Sequence, residues 1–152
     1  RGLPTADRLG GLGAAGARLP VLQRGSPHPS DMPRLNFVVL TDDAERFRGA
    51  LALALAQAAL GRSVRIFLQL DAVRLLAPTA QAPRDDDHAA HGLPTLATLI
   101  GEALEAGIAI IACQSGLALA GLDLSALDAR IAAGGPLSFL QGCAERDGPV
   151  IV

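Results

Sequence analysis

The sequence predicts an α/β fold, a parallel sheet with helices on both faces. Three observations carry that expectation. Short runs of β-branched and apolar residues recur along the chain, each the length of a strand. Segments with helical spacing of apolar residues lie between them. Strands separated in this way pair in parallel, because a parallel partner can be reached only by a crossover.

The first run, Leu35-Asn36-Phe37-Val38-Val39-Leu40, reads as a strand buried on both faces. Asp42 and Glu45 then stand ahead of Phe47, Ala50, Leu51, Ala54, Leu55 and Ala58, a capped helix start, and Gly61 is placed to end that helix in the left-handed conformation. The polar residues of this helix gather in its first turns, which points to cover on several sides, by an oligomer interface as well as by the sheet. Ser63 to Leu68 is the second strand. Asp71 to Leu76 is a short helical piece halted by Pro78, and residues 78 to 93 form a polar loop. Pro94 suits the first position of a further helix, in which Leu96, Leu99, Ile100, Ala103 and Leu104 keep the helical period up to Gly107. Ile108 to Ala112 is the third strand. A small-residue helix near Leu117 to Ala120, a segment from Ser125 to Ala133, a helix from Pro136 to about Arg146 and a last strand, Val150-Ile151-Val152, complete the pattern.

Residues 1 to 33 fit neither period. Gly2, Gly10, Gly11, Gly13, Gly16 and Gly25 alternate with Pro4, Pro20, Pro27, Pro29 and Pro33, and no uninterrupted apolar stretch of a secretory signal is present, so the segment reads as a disordered leader. The only Met is Met32, directly before the first strand. The natural start is therefore expected at Met32, with a real but floppy arm as the alternative; either way the folded domain is residues 34 to 152.

Composition narrows the function classes. Half of the 152 residues are apolar, yet the aromatics are four Phe with no Trp or Tyr, so the core must be built from Ala, Leu, Ile and Val. All 13 basic residues are Arg, which with the Ala and Gly excess looks like a bias of the source genome. The net charge is −2 and no basic block stands beside aromatics, so the footprint of a nucleic-acid binder is missing. No apolar run approaches the roughly 20 residues of a membrane span. The two Cys, at 113 and 143, form neither a C-x-x-C nor a disulfide-dense pattern, which favours a reducing, cytoplasmic setting.

Cys113 is the leading candidate for chemistry. It ends an apolar strand and opens Gln114-Ser115-Gly116, and ligands of α/β proteins bind outside the carboxyl ends of strands, where helix starts offer unpaired N–H groups. Sulfur chemistry needs a thiolate, and the ordinary Cys pKa of about 8.5 falls beside such donors or cations. The alternative is a buried strand-end Cys that behaves as a small hydrophobe. Cys143 lies within a helix and reads as a core or interface residue. Thr41 and Asp42 reach the same sheet edge as Cys113, where capping accounts for Asp42 better than ligand binding. The run from Asp85-Asp86-Asp87-His88 to His91 has ligand types for a divalent metal, but adjacent Asp in a Pro-bounded loop fit a solvated surface better, so no metal site is assigned. Neither G-x-G-x-x-G nor a P-loop follows the first strand, and no cofactor is expected.

Three phrases, in order, invite a comparison. They are Gly61-Arg62-Ser63-Val64-Arg65-Ile66-Phe67, then Asp71-Ala72-Val73-Arg74-Leu75-Leu76, then Glu102-Ala103-Leu104-Glu105-Ala106-Gly107-Ile108 leading into the strand that ends at Cys113. With them, Leu35 to Val152 resembles the DsrE/DsrF-like family of small sulfur-relay proteins, which includes the tRNA 2-thiouridine sulfur carriers. The resemblance implies a flavodoxin-like three-layer α/β/α sandwich with a mostly parallel sheet, assembled as a homotrimer, a hexamer or a hetero-hexamer. It implies that Cys113 carries a persulfide and passes sulfane sulfur between a donor and an acceptor protein, with no direct contact to nucleic acid. By the same topology the polar loop borders Cys113, so that His88 or His91 assists deprotonation or gates access. Active relatives often carry an Arg-Gly pair several residues after the Cys, whereas Ala120-Gly121 stands here. Three readings stay open: a persulfide sulfurtransferase, a non-catalytic oligomeric binding or assembly subunit of the same fold, and a thiol peroxidase, which would need a sulfenic acid at Cys113 and a reductant.

Overall fold

The computed structural model describes residues 34–143 and 147–152. The expected leader, the start at Met32 and the predicted helix end near Arg146 lie outside the described residues. Five strands form one sheet: β1 (Leu35–Val39), β2 (Val64–Leu68), β3 (Ala109–Cys113), β4 (Ala132–Gly134) and β5 (Pro149–Ile151). Their order is β4-β3-β2-β1-β5 and every pairing is parallel. The helices are α1 (Ala44–Ala59), α2 (Asp85–Ala90), α3 (Leu96–Glu105), α4 (Gln114–Ala120) and α5 (Pro136–Gln141), with 3-10 turns at Leu70–Leu76 and Leu124–Ala126. The α/β sandwich expected from the sequence is the fold observed.

Parallel pairing sends each connection across a face of the sheet. From β1 to β4 the chain steps toward one edge; α5 then carries it back past β1 to the other, so right-handed crossovers put α5 on the face opposite α1 and α3. The side chains of β2 agree with this. Phe67 stacks on Phe139 of α5 with 5.0 Å between ring centroids, and the Arg65 guanidinium lies 4.5 Å over the same ring. Val64, Ile66 and Leu68 alternate to the other face and are buried there. With so few aromatics, close approach replaces bulk: Ala50 and Ala54 of α1 and Ala103 of α3 are fully buried, which lets these two helices pack against each other and the sheet.

Several local expectations are corrected. The cap of α1 is Asp43, not Asp42: its Oδ1 accepts the N–H groups of Glu45 at 2.9 Å and Arg46 at 3.0 Å. Leu40 still donates to Val152 beside β5, so Thr41 and Asp42 are spent on the turn out of the sheet. The polar loop contains α2, whose first turn holds Asp85, Asp86 and Asp87, the end where the helix dipole favours carboxylates. Pro94 precedes the cap of α3 instead of opening the helix, because the Thr95 hydroxyl takes that place and accepts the Thr98 N–H at 3.2 Å. Helix α4 begins at Gln114, directly after β3, earlier than the Leu117 expected. At the end of the segment Ser125 to Ala133, to which the sequence assigned no type, Ala132–Gly134 forms β4 by pairing with Ile111–Cys113; a three-residue Ala-Ala-Gly edge has no pattern of its own. Helix α5 ends at Gln141.

The contact that matters most for the candidate site lies between the 3-10 turn Leu70–Leu76 and α4. A Cβ on Gly116 would collide with the Leu70 carbonyl oxygen and stand 2.9 Å from Val73 Cγ1. Leu70 is the one described non-glycine residue with a positive φ, +50°, a conformation that costs an L-residue about 1 to 2 kcal/mol. The turn is thus pressed onto α4 at a point only glycine allows. Gly116→Ala is expected to destabilise the fold by about 1 to 3 kcal/mol, the usual cost of overpacking, read as a lower urea midpoint at unchanged m-value.

Candidate functional site

Cys113 closes β3, opposite Gly134 of β4, and is at the same time the cap residue of α4 with φ −64° and ψ 122°. The strand-to-helix junction therefore has no intervening loop. Its side chain makes no capping hydrogen bond, and only 2% of the residue is exposed. Gln114 and Ser115, by contrast, are exposed, while Gly116 is buried beneath the Leu70 carbonyl. The sequence left an ionised thiol at the rim and a buried strand-end Cys both open; the residue is buried here, and the Leu70–Leu76 turn packs against Gly116 of the adjoining helix.

The other predicted residues are divided between two places. Thr41 lies at the carboxyl end of β1, and its hydroxyl is buried without a hydrogen-bond partner among the described residues. Asp42 is exposed and lines a cleft of about 320 Å³ with Arg74, Thr79, Gln81 and Ala120, between the segments that follow β1, β2 and β3. Arg74 thus brings a guanidinium to the cleft that Ala120 lines. Cys113 is not part of that lining.

His88 and His91 are committed elsewhere. His88 Nε2 lies 2.9 Å from Glu45 Oε2, and His91 Nδ1 lies 2.7 Å from the Asp87 carbonyl of its own helix. Among the described residues neither imidazole is hydrogen-bonded to Cys113, and no group of three or more His, Cys, Asp or Glu converges to hold a metal. His88 belongs instead to a cluster that fastens α2 to α1. The buried Arg48 guanidinium pairs with Asp85 and with Glu45, and donates to the Pro94 carbonyl at 2.6 Å. Asp85 also accepts the N–H of Leu96 at 3.0 Å. Sequence reading missed this role of Glu45, Arg48 and Asp85, although Glu45 and Arg48 at i,i+3 on one helix were a usable signal. Cys143, expected within a helix, lies just past the end of α5; it is half-buried and its Sγ donates to the Phe139 carbonyl at 3.5 Å.

Comparison with known proteins gives one family and a consistent set of folds. The model of the DsrE/DsrF-like family matches residues 22–146. No curated protein matches the chain. Among solved structures, the ychN protein from E. coli is 16% identical with a TM-score of 0.63, covering 80% of this chain and 100% of its own. A protein of unknown function from Methanobacterium thermoautotrophicum, MTH1491, is 18% identical with a TM-score of 0.56 and the same coverage. BT1422 from Bacteroides thetaiotaomicron, also of unknown function, is 21% identical with a TM-score of 0.56, covering 77% of this chain and 94% of its own. At these identities the likeness is one of fold.

The α1–α2 cluster sets an acid limit. His88 first, then Arg48, hold the Glu45 carboxyl below its ordinary value of 4.5, against the opposing effect of desolvation. A carboxyl whose pKa is lowered in the folded state stabilises it above the unfolded value, and that contribution is lost as pH falls through the folded one. The stability difference between the native chain and Glu45→Gln, taken from urea midpoints, is expected to shrink as pH falls below 4.5.

Proposed function

The chain belongs to the DsrE/DsrF-like family, and from that premise we propose that it handles sulfane sulfur, holding a persulfide on Cys113 and passing it to a partner protein. The observation that carries the reading is the position of Cys113, at once the last residue of β3 and the first of the turn into α4. In an all-parallel sheet this is the edge where ligands are received. In the loading step the Cys113 thiolate attacks the terminal sulfur of a donor persulfide; the donor S–S bond breaks, the donor leaves as a thiolate and Cys113 becomes the persulfide. An acceptor thiolate reverses the same exchange. No oxidant enters, and each step conserves one S–S bond.

The burial of Cys113 adds a requirement. The Leu70–Leu76 turn must lift from Gly116 for a donor to reach the sulfur, and the left-handed Leu70 is a hinge already under strain. Gln114, Ser115 and Gly116 then border the exposed sulfur, with Thr41 and Asp42 along the same rim. In this reading Arg74, which lines the cleft beside Ala120, takes the part of the arginine that active relatives often carry after the Cys. The two free thiols suit a reducing cytoplasm, and no described helix is long and apolar enough to cross a membrane. Exposed Leu137 and Leu140 on α5 with Val150 and Ile151 on β5 offer apolar surface for a homo-oligomer.

The 2% exposure of Cys113 and Ala120 in place of an arginine favour a second reading, an assembly or binding subunit in which the thiol is incidental. Intact-mass measurement after incubation with a sulfane-sulfur donor separates the two. The relay reading expects a gain of one sulfur, about 32 Da, removed by a thiol reductant and absent from Cys113→Ser. A chain that stays unmodified in the presence of donor, while Cys143 alkylates normally, supports the assembly subunit. In the relay reading Arg74→Ala is further expected to slow persulfide loading about tenfold, the worth of one charge-assisted contact, without lowering the urea midpoint.

A further inference from the structure

At the opposite edge of the sheet, three arginines line one cavity, and none is ion-paired with a carboxylate among the described residues. Among the described residues Arg48, Arg74, Arg84 and Arg130 each pair with a carboxylate. Of the described arginines left without such a partner, Arg34, Arg62 and Arg65 line a single cavity of about 420 Å³, and no Asp or Glu is among its described lining residues. The rest of the wall is backbone and small side chains of the turns into β2 and β3, with Ser63 among them. Gly61 and Gly107, left-handed at φ +80° and +77°, make those turns and so set the rim.

Local partners do not account for the charge. Arg65 lies over the Phe139 ring and donates to the Phe139 carbonyl at 3.2 Å, and Arg34 Nη1 reaches the Gly142 carbonyl at 3.4 Å, both uncharged acceptors. The Asp147 carboxylate is turned to the backbone N–H of Arg34, at 3.1 Å, and not to a guanidinium. Arg62, half-buried, has no side-chain hydrogen bond among the described residues. Three guanidinium groups lining one cavity, none of them ion-paired with a carboxylate among the described residues, repel one another unless an anion joins them.

We propose that this cavity is a binding site for a tetrahedral oxyanion, a phosphate or sulfate group. Planar guanidinium forks suit such groups by paired N–H···O contacts, and Ser63 adds a hydroxyl. At about 30 Å³ per water, the cavity has room for the oxyanion and part of the molecule that carries it. The site is separate from Cys113: the strands begin at one edge and Cys113 ends β3 at the other, roughly 13 Å away at about 3.3 Å per residue.

The test is a titration of the full chain with inorganic phosphate and with phenyl phosphate, at ionic strength fixed with chloride, followed by amide chemical shifts. Saturable shifts confined to the turns at Arg62–Val64 and Gly107–Ala109 are expected. Arg62→Gln should weaken binding at least tenfold, Arg34→Gln should weaken it as well, and Arg46→Gln, which alters an unpaired arginine elsewhere, should leave it unchanged. Tighter binding of phenyl phosphate identifies a carried oxyanion; equal affinity identifies the free ion. The proposal is overturned if neither probe saturates, if the shifts spread over the surface, or if Arg62→Gln binds phosphate as well as the native chain. Cys113→Ser is expected to bind phosphate normally, so the outcome is independent of the sulfur-relay reading.

Discussion

All five strands point the same way, and that single polarity organises everything else in the molecule. Consecutive strands of one chain can pair in parallel only if a crossover joins them. Strand ends and helix starts therefore collect at one edge, while helix ends and strand starts collect at the other. The first edge holds Thr41, the capping Asp43, Cys113 and the strained Leu70 turn. The second holds the left-handed glycines and the three unpaired arginines. Two rims of different chemistry follow from one hydrogen-bonding pattern.

Between the rims the core works by closeness. Buried alanines on α1 and α3 let helices sit against the sheet where larger side chains would hold them off, and Phe37, Phe47, Phe67 and Phe139 supply the few large volumes. The same economy makes Gly116 indispensable, since α4 meets a carbonyl oxygen there and not a side chain that can yield. Arg48 plays the complementary part on the far side of α1: one buried guanidinium ties α1, α2 and the start of α3 through Glu45, Asp85 and Pro94.

Much of this was legible in the residues. The strands at Leu35, Val64 and Ala109, the capped α1, the helical piece before Pro78 and the period of α3 all follow from apolar spacing and turn chemistry, and the position of Cys113 follows from them. Elements that draw on partners distant in sequence were not legible. β4 is a strand only because β3 offers a free edge, and α2 is held by Arg48 and Glu45 from nearly forty residues earlier. The close contact at Gly116 was likewise hidden, because the turn that packs there enters from the preceding crossover. The Arg62 and Arg65 pair stood in plain view within one phrase, but only the fold brings Arg34 beside them.

Both margins of the sheet are three residues long, and the outer one begins with Pro149, which has no N–H to offer. So short a row of unsatisfied amides is a poor template for an added strand. Ladder extension by a copy of this chain or by a foreign peptide is thereby disfavoured at these margins.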